Sequence, residues 1–325
     1  MKIYYRRSTD PFTNIAAEEY FARNTGEDLC MIWCNEKSVI IGKHQNAYAE
    51  INYPFIREHQ IPVIRRISGG GAVYHDEGNI NFTFIQKTGT GNQVAFKQFT
   101  AIVVKMMKHF GLDVQVGKRD SLYIHDKKFS GNAEHIYKDR ILHHGTLLFN
   151  TNLDWLEQSI KSNKSYQSKA LQSVRSEVCN LAPLLPDITD KEEFIKYLIQ
   201  FLLDFYRENK IFEVDEIVLN KINYLAESKY ITWQWNFGYS PAYSFTVELL
   251  LRVGNFSFTC RVENGTIKGI EFLEQESKPN LEFILNKLIG ILHREEDILT
   301  FSIQHKQELM DLGITPLYFT QAFFQ

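Results

Sequence analysis

Cysteine, long apolar runs and net charge are all scarce in this chain of 325 residues. Its four cysteines include no CxxC pair, and a chain of this length can bury a large core without cross-links, so we expect reduced, buried thiols. The 36 Lys and Arg residues nearly balance the 39 Asp and Glu residues, which leaves a net charge of −3. Such a chain has no overall electrostatic attraction for nucleic acid or anionic membranes. Any anion that it binds must therefore be held by a local cluster of positive charges or amide dipoles.

Apolar segments in this sequence are too short to cross a membrane. The most apolar helix-like stretch, residues 197–206, is interrupted by Gln200 and Asp204, whereas a transmembrane helix needs about 20 apolar residues. The first residues also lack the apolar segment of a secretory signal. We therefore expect a cytoplasmic protein that binds neither membrane nor nucleic acid.

The first 220 residues mix predicted strands and helices without regular alternation. Asp10-Pro11 before an Ala-rich stretch predicts a capped amphipathic helix. Runs of β-branched and aromatic residues, such as 39–42 and 81–85, predict strands, and residues 191–208 predict a helix. This mixture indicates an α+β fold.

A second, smaller domain is predicted at the C-terminal end. The aromatic stretch 231–243 contains Gly and Pro near its end, which is typical of a border between domains. Beyond it, residues 245–272 predict a three-strand meander in which Asn264-Gly265 forms a tight hairpin turn, and helices follow. We assign residues 1–240 to the large domain and 244–325 to the small one.

The most informative segment is Arg65-Arg66-Ile67-Ser68-Gly69-Gly70-Gly71, followed by Ala72-Val73-Tyr74. Three adjacent glycines are expected where the backbone takes positive φ or lies against a ligand, and successive amides in such a turn bind anions. The two arginines add charge-assisted donors. The segment is neither a Walker loop nor a dinucleotide fingerprint, because no Gly-Lys-Ser/Thr follows and the next residues predict a strand. It therefore predicts a phosphate site of a different geometry.

A second motif, Lys127-Lys128-Phe129-Ser130-Gly131, places a lysine beside a Ser-Gly turn. An ammonium group there can lie over a carboxylate or phosphoryl oxygen, the arrangement that activates an acid as a mixed anhydride. Residues 125–128 lie between two strand-like runs and predict the tip of a hairpin. In the following His143-His144-Gly145-Thr146 segment, we expect at least one histidine to face the core.

Together these motifs resemble the lipoate-protein ligase family. The resemblance covers nearly the whole chain, over residues 8–19, 65–83, 128–131, 143–148, 173–181 and 235–238. It implies a large biotin/lipoate-ligase-like catalytic domain with mixed and antiparallel sheets and flanking helices, and a small α+β accessory domain. It also implies an enzyme that activates free lipoate with ATP to lipoyl-AMP, releases pyrophosphate, and transfers the lipoyl group to a carrier lysine.

The resemblance assigns roles to individual residues. The nucleotide-binding residues that it implies are Arg66, Ser68, Gly70, Gly71, Ala72, Val73, Tyr74 and Lys128. Lys128 is also implied as the catalytic residue, which contacts the lipoate carbonyl. The implied cofactors are ATP, as a substrate, and magnesium, for which Asp120 is the candidate ligand. The implied partners are lipoate and lipoyl carrier domains, namely 2-oxoacid dehydrogenase acyltransferase subunits and the glycine-cleavage H protein. We expect the protein to be a monomer.

Three positions depart from the family pattern. Arg119 precedes Asp120 where the family commonly has asparagine, and an extra guanidinium there can alter metal or pyrophosphate binding. Asn132 and His135 stand where a small residue and an aromatic residue are more usual, so acyl or acceptor specificity can differ.

Alternative functions use much of the same machinery. A lipoyl amidotransferase, which takes lipoyl from a lipoylated protein or from preformed lipoyl-AMP, would need the same residues. An octanoyltransferase would need an activated thiol near the lysine, for which Cys179 is the candidate. A biotin-protein ligase has a different glycine-rich signature. A binding module built on an inactive ligase would be expected to have lost Arg66 or Lys128, and both are present.

Overall fold

The structure, a computed structural model, describes residues 1–87, 96–161, 163, 165–251, 254–273 and 279–325, without the side chains of Phe96 and Arg119. The chain forms two compact units. The first comprises Met1–Lys43, Pro62–Glu157 and Val174–Thr232, and the second comprises His44–Ile61, Gln158–Ser173 and Trp233–Gln325. Sheets and helices are mixed in the order of the elements, which confirms the predicted α+β class.

The bounds of the regular elements are as follows. The strands are β1 (Lys2–Arg6), β2 (Leu29–Cys34), β3 (Ser38–Ile41), β4 (Val63–Arg65), β5 (Val73–His75), β6 (Asn79–Lys87), β7 (Gln115–Val116), β8 (Leu122–Ile124), β9 (Lys127–Ser130), β10 (Asn132–Tyr137), β11 (Arg140–Leu148), β12 (Tyr166–Ser168), β13 (Tyr243–Leu251), β14 (Gly254–Glu263) and β15 (Thr266–Phe272). The helices are α1 (Pro11–Asn24), α2 (Ala47–Glu50), α3 (Tyr53–Glu58), α4 (Phe96–His109), α5 (Leu153–Ser159), α6 (Lys191–Tyr206), α7 (Glu216–Leu225), α8 (Pro279–Asn286), α9 (Glu295–Gln304), α10 (Lys306–Asp311) and α11 (Pro316–Ala322).

The largest sheet of the first unit has two chemically different faces. Its strand order is β1-β2-β6-β11-β10, with β1 and β2 parallel and the other neighbours antiparallel. Side chains alternate between faces along a strand, so Phe82 and Phe84 of β6 share the core with α4 and α6. Thr83 points to the opposite face, where His144 of β11 is its cross-strand partner. We call this opposite side the polar face.

Helix α1 begins where the sequence predicts and carries two buried carboxylates. The Asp10 side chain caps it by accepting hydrogen bonds from the first free backbone amides, and Pro11 occupies the first turn. Glu18 and Glu19 are 1% and 3% exposed. Glu19 accepts hydrogen bonds from Tyr230 Oη at 2.5 Å and Lys229 Nζ at 2.6 Å, and it pairs with an arginine one turn along the helix. These contacts fix α1 to a π-helical segment of the same unit.

Two three-stranded sheets of the first unit carry the motifs that the sequence singled out. One has the order β4-β3-β5, and the glycine-rich segment is its connection from β4 to β5. The other has the order β7-β8-β9. The predicted hairpin tip at residues 125–128 is shorter in the structure: His125 and Asp126 form the turn at φ of 47° and 62°, and Lys127 already belongs to β9. Two residues at positive φ are enough to close such a hairpin.

The second unit is built on the sheet β12-β13-β14-β15, in which each pair of neighbours is antiparallel. The predicted meander and its turn are confirmed, since Asn264 and Gly265 take φ of 50° and 74°. The predicted helix at 281–289 ends earlier, at Asn286, and the one near 303–312 is divided at His305 between α9 and α10. Buried aromatic and aliphatic side chains of β13, β14, α8, α9 and α11 form its core.

The folded units differ in membership from the two contiguous segments of the sequence prediction. Residues 44–61 and 158–173 belong to the second unit, where β12 pairs with β13. The roles predicted for residues 1–240 and 244–325 stay predictions. Within the part of the chain that the structure describes, no helix is long and apolar enough to span a bilayer.

Candidate functional site

The glycine-rich segment forms a loop whose backbone packs directly against the end of β3. A Cβ atom built on Gly42 would lie 2.1 Å from the carbonyl oxygen of Gly70, so only glycine fits at position 42 without movement. The amide of Lys43 donates to the carbonyl of Ser68 at 2.8 Å. Gly70 takes a φ of +91°, a left-handed conformation that favours glycine. The loop is therefore held by backbone contacts, which explains two of the glycines near it.

Arg66 lies beneath the loop and binds its carbonyl groups. Its side chain is buried and donates from Nε to Ser68 Oγ at 2.9 Å and from a terminal nitrogen to Ile40 O at 3.1 Å. The other terminal nitrogen donates to the carbonyls of Gly69, at 2.5 Å, and Gly71, at 2.8 Å. Burial lowers the pKa of Arg66 to about 10, which leaves the guanidinium charged at neutral pH.

This arrangement orients two amides of the loop. In a trans peptide the N–H points away from the preceding C=O. Since the carbonyls of Gly69 and Gly71 point toward Arg66, the N–H groups of Gly70 and Ala72 point away from it. The loop therefore presents backbone dipoles outward over a buried cation, which is an electrostatic environment suited to a phosphate group.

Arg65, Val73 and Tyr74, which belong to the same sequence motif, lie on either side of the loop. Arg65 is fully buried and donates to the carbonyls of Gly42 and Lys43, both at 3.1 Å, so it stabilises the support of the loop. Val73 and Tyr74 belong to β5, and the Tyr74 ring is buried. Burial raises the pKa of the Tyr74 hydroxyl.

Lys128 lies on β9, and its backbone is fixed by a neighbouring segment. Its amide donates to the carbonyl of Glu177 at 2.8 Å, and its carbonyl accepts from the amide of Cys179 at 3.0 Å. Its Nζ lies 3.1 Å from the place that a Cβ on Gly131 would occupy. The ammonium group therefore folds over the Ser-Gly turn, where any side chain at position 131 would crowd it.

The two motifs meet at β10. A Cβ built on Gly70 would lie 3.8 Å from the Cβ of Ala133, and Gly131 lies two residues before Ala133. The glycine loop and the Lys128 turn thus border the same short strand. This juxtaposition combines a cluster of oriented amides, a buried guanidinium and an ammonium group on one side of the sheet.

Asp120 lies beside the same strand, at the end of the 3-10 turn Lys118–Asp120, with a φ of +55°. Its backbone carbonyl accepts a hydrogen bond from Asn132 Nδ2 at 2.6 Å. Among the described residues, no group of three or more His, Cys, Asp or Glu side chains could hold a metal ion. Asn132 was noted in the sequence as a departure from the family pattern, but its hydrogen bond to Asp120 could not be predicted there.

Behind the loop lies a buried hydrogen-bonded chain that sequence analysis did not identify. His144 Nδ1 lies 2.8 Å and 2.9 Å from the two carboxylate oxygens of Glu18, and its Nε2 lies 2.7 Å from Ser68 Oγ. Thr83 Oγ1 lies 2.6 Å from Glu18 and accepts from Trp33 Nε1 at 2.8 Å. The one available signal was an acidic pair inside an Ala-rich helix. We call the hydrogen-bonded path through Trp33, Thr83, Glu18, His144 and Ser68 the buried path.

The neighbouring His143 behaves differently. It is fully buried on the apolar face of the sheet, near the rings of Phe82 and Phe99, which confirms that one of the two histidines faces the core. Its Nδ1 lies 2.8 Å from Glu134. The pKa of His143 is lowered, mainly by burial, although the nearby Glu134 acts in the opposite direction. His143 thus lies on the apolar face of β11 and His144 on its polar face, each beside a glutamate.

His75 is the last residue of β5 and lies close to the buried path. Its Nδ1 lies 3.1 Å from Asn35 Nδ2, and its buried Nε2 has no hydrogen-bond partner among the described residues. Burial, with the positive charge of Arg66 and the nearby His144, lowers the pKa of His75 to about 3. The ring is therefore neutral at physiological pH.

The four cysteines are free thiols. Cys179 is the one whose backbone adjoins Lys128, and its Sγ lies 3.7 Å from the carbonyl oxygen of Lys127. Partial burial raises the pKa of the Cys179 thiol. A nucleophilic thiol needs a lowered pKa, so this environment does not favour thioester chemistry.

Comparisons with known proteins agree with this geometry. Residues 10–203 match the model of the lipoyl protein ligase A/B catalytic domain family. The chain is 36% identical over 297 residues to lipoate–protein ligase 1 of Staphylococcus aureus, and the match covers 89% of each chain. It is 26% identical to P. falciparum LipL1, solved in complex with lipoate, with a TM-score of 0.59 over 93% of this chain and 94% of that one. A lipoate-protein ligase A bound with ATP shares the fold, with 24% identity and a TM-score of 0.64 over 73% of this chain and 98% of that one.

Proposed function

The chain belongs to the lipoyl protein ligase A/B catalytic domain family, and we propose from this premise that it is an ATP-dependent lipoate–protein ligase. It activates free lipoate as lipoyl-AMP and transfers the lipoyl group to the ε-amine of a carrier lysine. The similar LipL1 was solved with lipoate, and a protein of the same fold was solved with ATP, which supports both substrates. The family match lies within residues 1–240, to which we assign catalysis, and we assign an accessory role to residues 244–325.

The observation that carries this proposal is the meeting of the glycine loop with the Lys128 turn at β10. Adenylation joins a carboxylate to a phosphoryl group, and both partners are anions. The site must therefore concentrate positive charge and oriented dipoles at one place. The buried guanidinium of Arg66, the outward amides of Gly70 and Ala72, and the ammonium of Lys128 supply them.

In the first half-reaction, a carboxylate oxygen of lipoate attacks the α-phosphorus of ATP, and the bond from that phosphorus to the bridging oxygen of pyrophosphate breaks. Negative charge accumulates on the α-phosphoryl oxygens in the transition state. The loop amides and the Lys128 ammonium stabilise this charge because they are fixed before the reaction begins. We assign nucleotide binding to Arg66, Ser68, Gly70, Gly71, Ala72, Val73, Tyr74 and Lys128.

In the second half-reaction, the carrier amine attacks the carbonyl carbon of lipoyl-AMP. An amide bond forms, AMP leaves with the electron pair of the broken acyl–phosphate bond, and the amine loses a proton. Lys128 stabilises the carbonyl oxygen as it becomes an oxyanion. No nucleophile of the enzyme takes part, which agrees with the raised pKa of Cys179.

Magnesium enters this proposal as the counterion of ATP, whose phosphate charge it neutralises when bound. Mg²⁺ is usually held by one or two carboxylates together with substrate phosphates and waters. We assign Asp120 as the protein ligand, because Asn132 holds its backbone beside the start of β10. We further propose a cytoplasmic monomer whose acceptors are 2-oxoacid dehydrogenase acyltransferase subunits and the glycine-cleavage H protein.

Paired substitutions at neighbouring lysines test the assignment of the site. Lys128→Ala should lower both lipoate-dependent pyrophosphate release and lipoyl transfer from supplied lipoyl-AMP by about 100-fold or more, the usual effect of removing one preorganised donor. Lys127→Ala is the matched control, since its side chain is exposed on the same strand. It should keep both rates within about twofold, as exposed substitutions rarely disturb a fold.

Two results would contradict the role of Lys128. Normal adenylation by folded Lys128→Ala would show that this ammonium does not act on the phosphoryl group. Equal losses of activity in the two lysine variants would show that the effect comes from the positive charge of β9 in general rather than from the position of the Lys128 ammonium. Thermal unfolding of each variant establishes whether it is folded.

A further inference from the structure

We propose that Glu18 and His144 are positioning residues that hold Ser68, and through Ser68 the Arg66 guanidinium, in the geometry that binds ATP. This inference rests on the proposed function and adds two residues to it. Neither side chain belongs to the glycine loop: Glu18 lies on α1 and His144 on β11. Their hydrogen-bonded connection to the loop runs through the hydroxyl of Ser68.

The contacts form one continuous path. Glu18 is 1% exposed, His144 8%, Ser68 0% and Arg66 5%. From Glu18 the path runs through His144 Nδ1 at 2.8 Å, His144 Nε2 to Ser68 Oγ at 2.7 Å, and Ser68 Oγ to Arg66 Nε at 2.9 Å. Each group is removed from water, so its hydrogen bonds must be satisfied within the protein.

The donors and acceptors fit a single direction. Trp33 N–H donates to Thr83, so the Thr83 hydroxyl can donate to Glu18, which accepts as a carboxylate. In the tautomer with its proton on Nδ1, His144 donates to the same carboxylate and accepts from the Ser68 hydroxyl at Nε2. The Ser68 oxygen is then the acceptor for Arg66 Nε–H. Every hydroxyl in the path donates once and accepts once.

The charge on Glu18 is what gives this path its direction. A carboxylate accepts only, so it fixes the proton of His144 on Nδ1. Glutamine at position 18 could instead donate to Nδ1, and His144 would then present an N–H to Ser68. The Ser68 oxygen would face donors from both His144 and Arg66, and its own hydrogen would lose its acceptor. We therefore expect Glu18→Gln to loosen Arg66 and the carbonyls of Gly69 and Gly71 that Arg66 holds.

The structure offers a matched control in Glu134. This residue, on β10, and His143 make a second Glu–His contact at 2.8 Å between buried side chains, on the face of the sheet opposite to His144. Glu134→Gln removes the same charge from the same kind of pair. Both variants should lose stability, but only Glu18→Gln should change the use of ATP.

The test measures the KM for ATP of lipoate-dependent pyrophosphate release, together with the melting temperature, for the full chain. Glu18→Gln should raise the KM for ATP about tenfold over Glu134→Gln, the loss expected from one charge-assisted hydrogen bond. Ser68→Ala breaks the path at its other end. In the double variant the two effects should not multiply, because residues that act through one network are not additive.

Each outcome decides one question. If Glu18→Gln and Glu134→Gln have the same KM for ATP, or if the effects of Glu18→Gln and Ser68→Ala multiply, the positioning role is refuted. If Glu18→Gln does not fold, His144→Gln against His143→Gln makes the same comparison with the same expected tenfold difference. The proposed function is tested separately, by the wild-type chain alone. If the wild-type chain releases no pyrophosphate with lipoate, the proposed function is refuted whatever the variants do.

Discussion

Replacing Gly42 by alanine should displace the glycine loop and weaken ATP binding. The added Cβ would lie 2.1 Å from the Gly70 carbonyl oxygen and 3.2 Å from the Gly69 carbonyl carbon. Both atoms belong to the backbone, so no side-chain rotation relieves the contact. Restoring an ordinary separation of about 3.4 Å moves the loop by about 1.3 Å, and a misplacement of about 1 Å can cost about 100-fold in rate.

The assay is lipoate-dependent pyrophosphate release as a function of ATP concentration, with thermal unfolding of each variant. We expect Gly42→Ala to lower kcat/KM for ATP by about 10- to 100-fold, and to cost about 1–3 kcal/mol of stability, as overpacking usually does. Gly26→Ala is the matched control, because a Cβ there would meet nothing within 4 Å. It should leave activity and stability unchanged.

Gly69→Ala separates the packing of the loop from its contact with ligand. A Cβ on Gly69 would also meet nothing within 4 Å in the protein, so this variant should be as stable as the wild type. Any loss of ATP affinity would then come from the ligand itself. The reasoning is refuted if Gly42→Ala keeps wild-type kcat/KM for ATP, because the loop would then not need its support from Gly42.

Three further predictions concern groups outside the loop. The pKa values of His75 and His293 are lowered from 6.5 to about 3, mainly by burial, so the unfolded chain binds more protons than the folded chain below pH 6.5. Each histidine should therefore cost about 1.4 kcal/mol of stability per pH unit as the pH falls below 6.5. Equal melting temperatures at pH 7.5 and 5.5 would contradict this prediction. Glu19→Gln should lower the free energy of unfolding by about 2–3 kcal/mol in urea titrations, because Glu19 accepts short hydrogen bonds in a buried cluster. Glu27→Gln, which removes one partner of an exposed ion pair, should change it by less than about 0.5 kcal/mol. Similar losses in the two variants would refute the importance of burial. Cys179→Ser should keep lipoyl transfer within about twofold, as a deprotonated thiol is not required, and an acyl group found on Cys179 by intact-protein mass spectrometry would revive thioester chemistry.

Local features of this fold could be predicted because they depend on neighbouring residues. Asp10-Pro11 begins α1 since the carboxylate caps the first amides and proline needs no amide partner. Asn264-Gly265 forms the turn between β14 and β15 because both residues tolerate positive φ. Elements of this kind are encoded within a few residues of chain.

Long-range features could not be predicted in the same way. Glu18 and His144 lie 126 residues apart, and nothing in either local segment indicates that they meet. The sequence equally gave no sign that residues 44–61 and 158–173 fold with the C-terminal part of the chain. The family resemblance identified the residues of the glycine loop, but the contact between Gly42 and Gly70 depends on the pairing of β3 with β4 and β5.

The most direct test of the proposed function is pyrophosphate release by the purified chain with ATP, magnesium and free lipoate in the absence of any carrier. We predict release that depends on lipoate, since adenylation of the free acid needs no acceptor. No release, with lipoyl transfer from supplied lipoyl-AMP or a lipoylated donor intact, would contradict the ligase and identify a transferase.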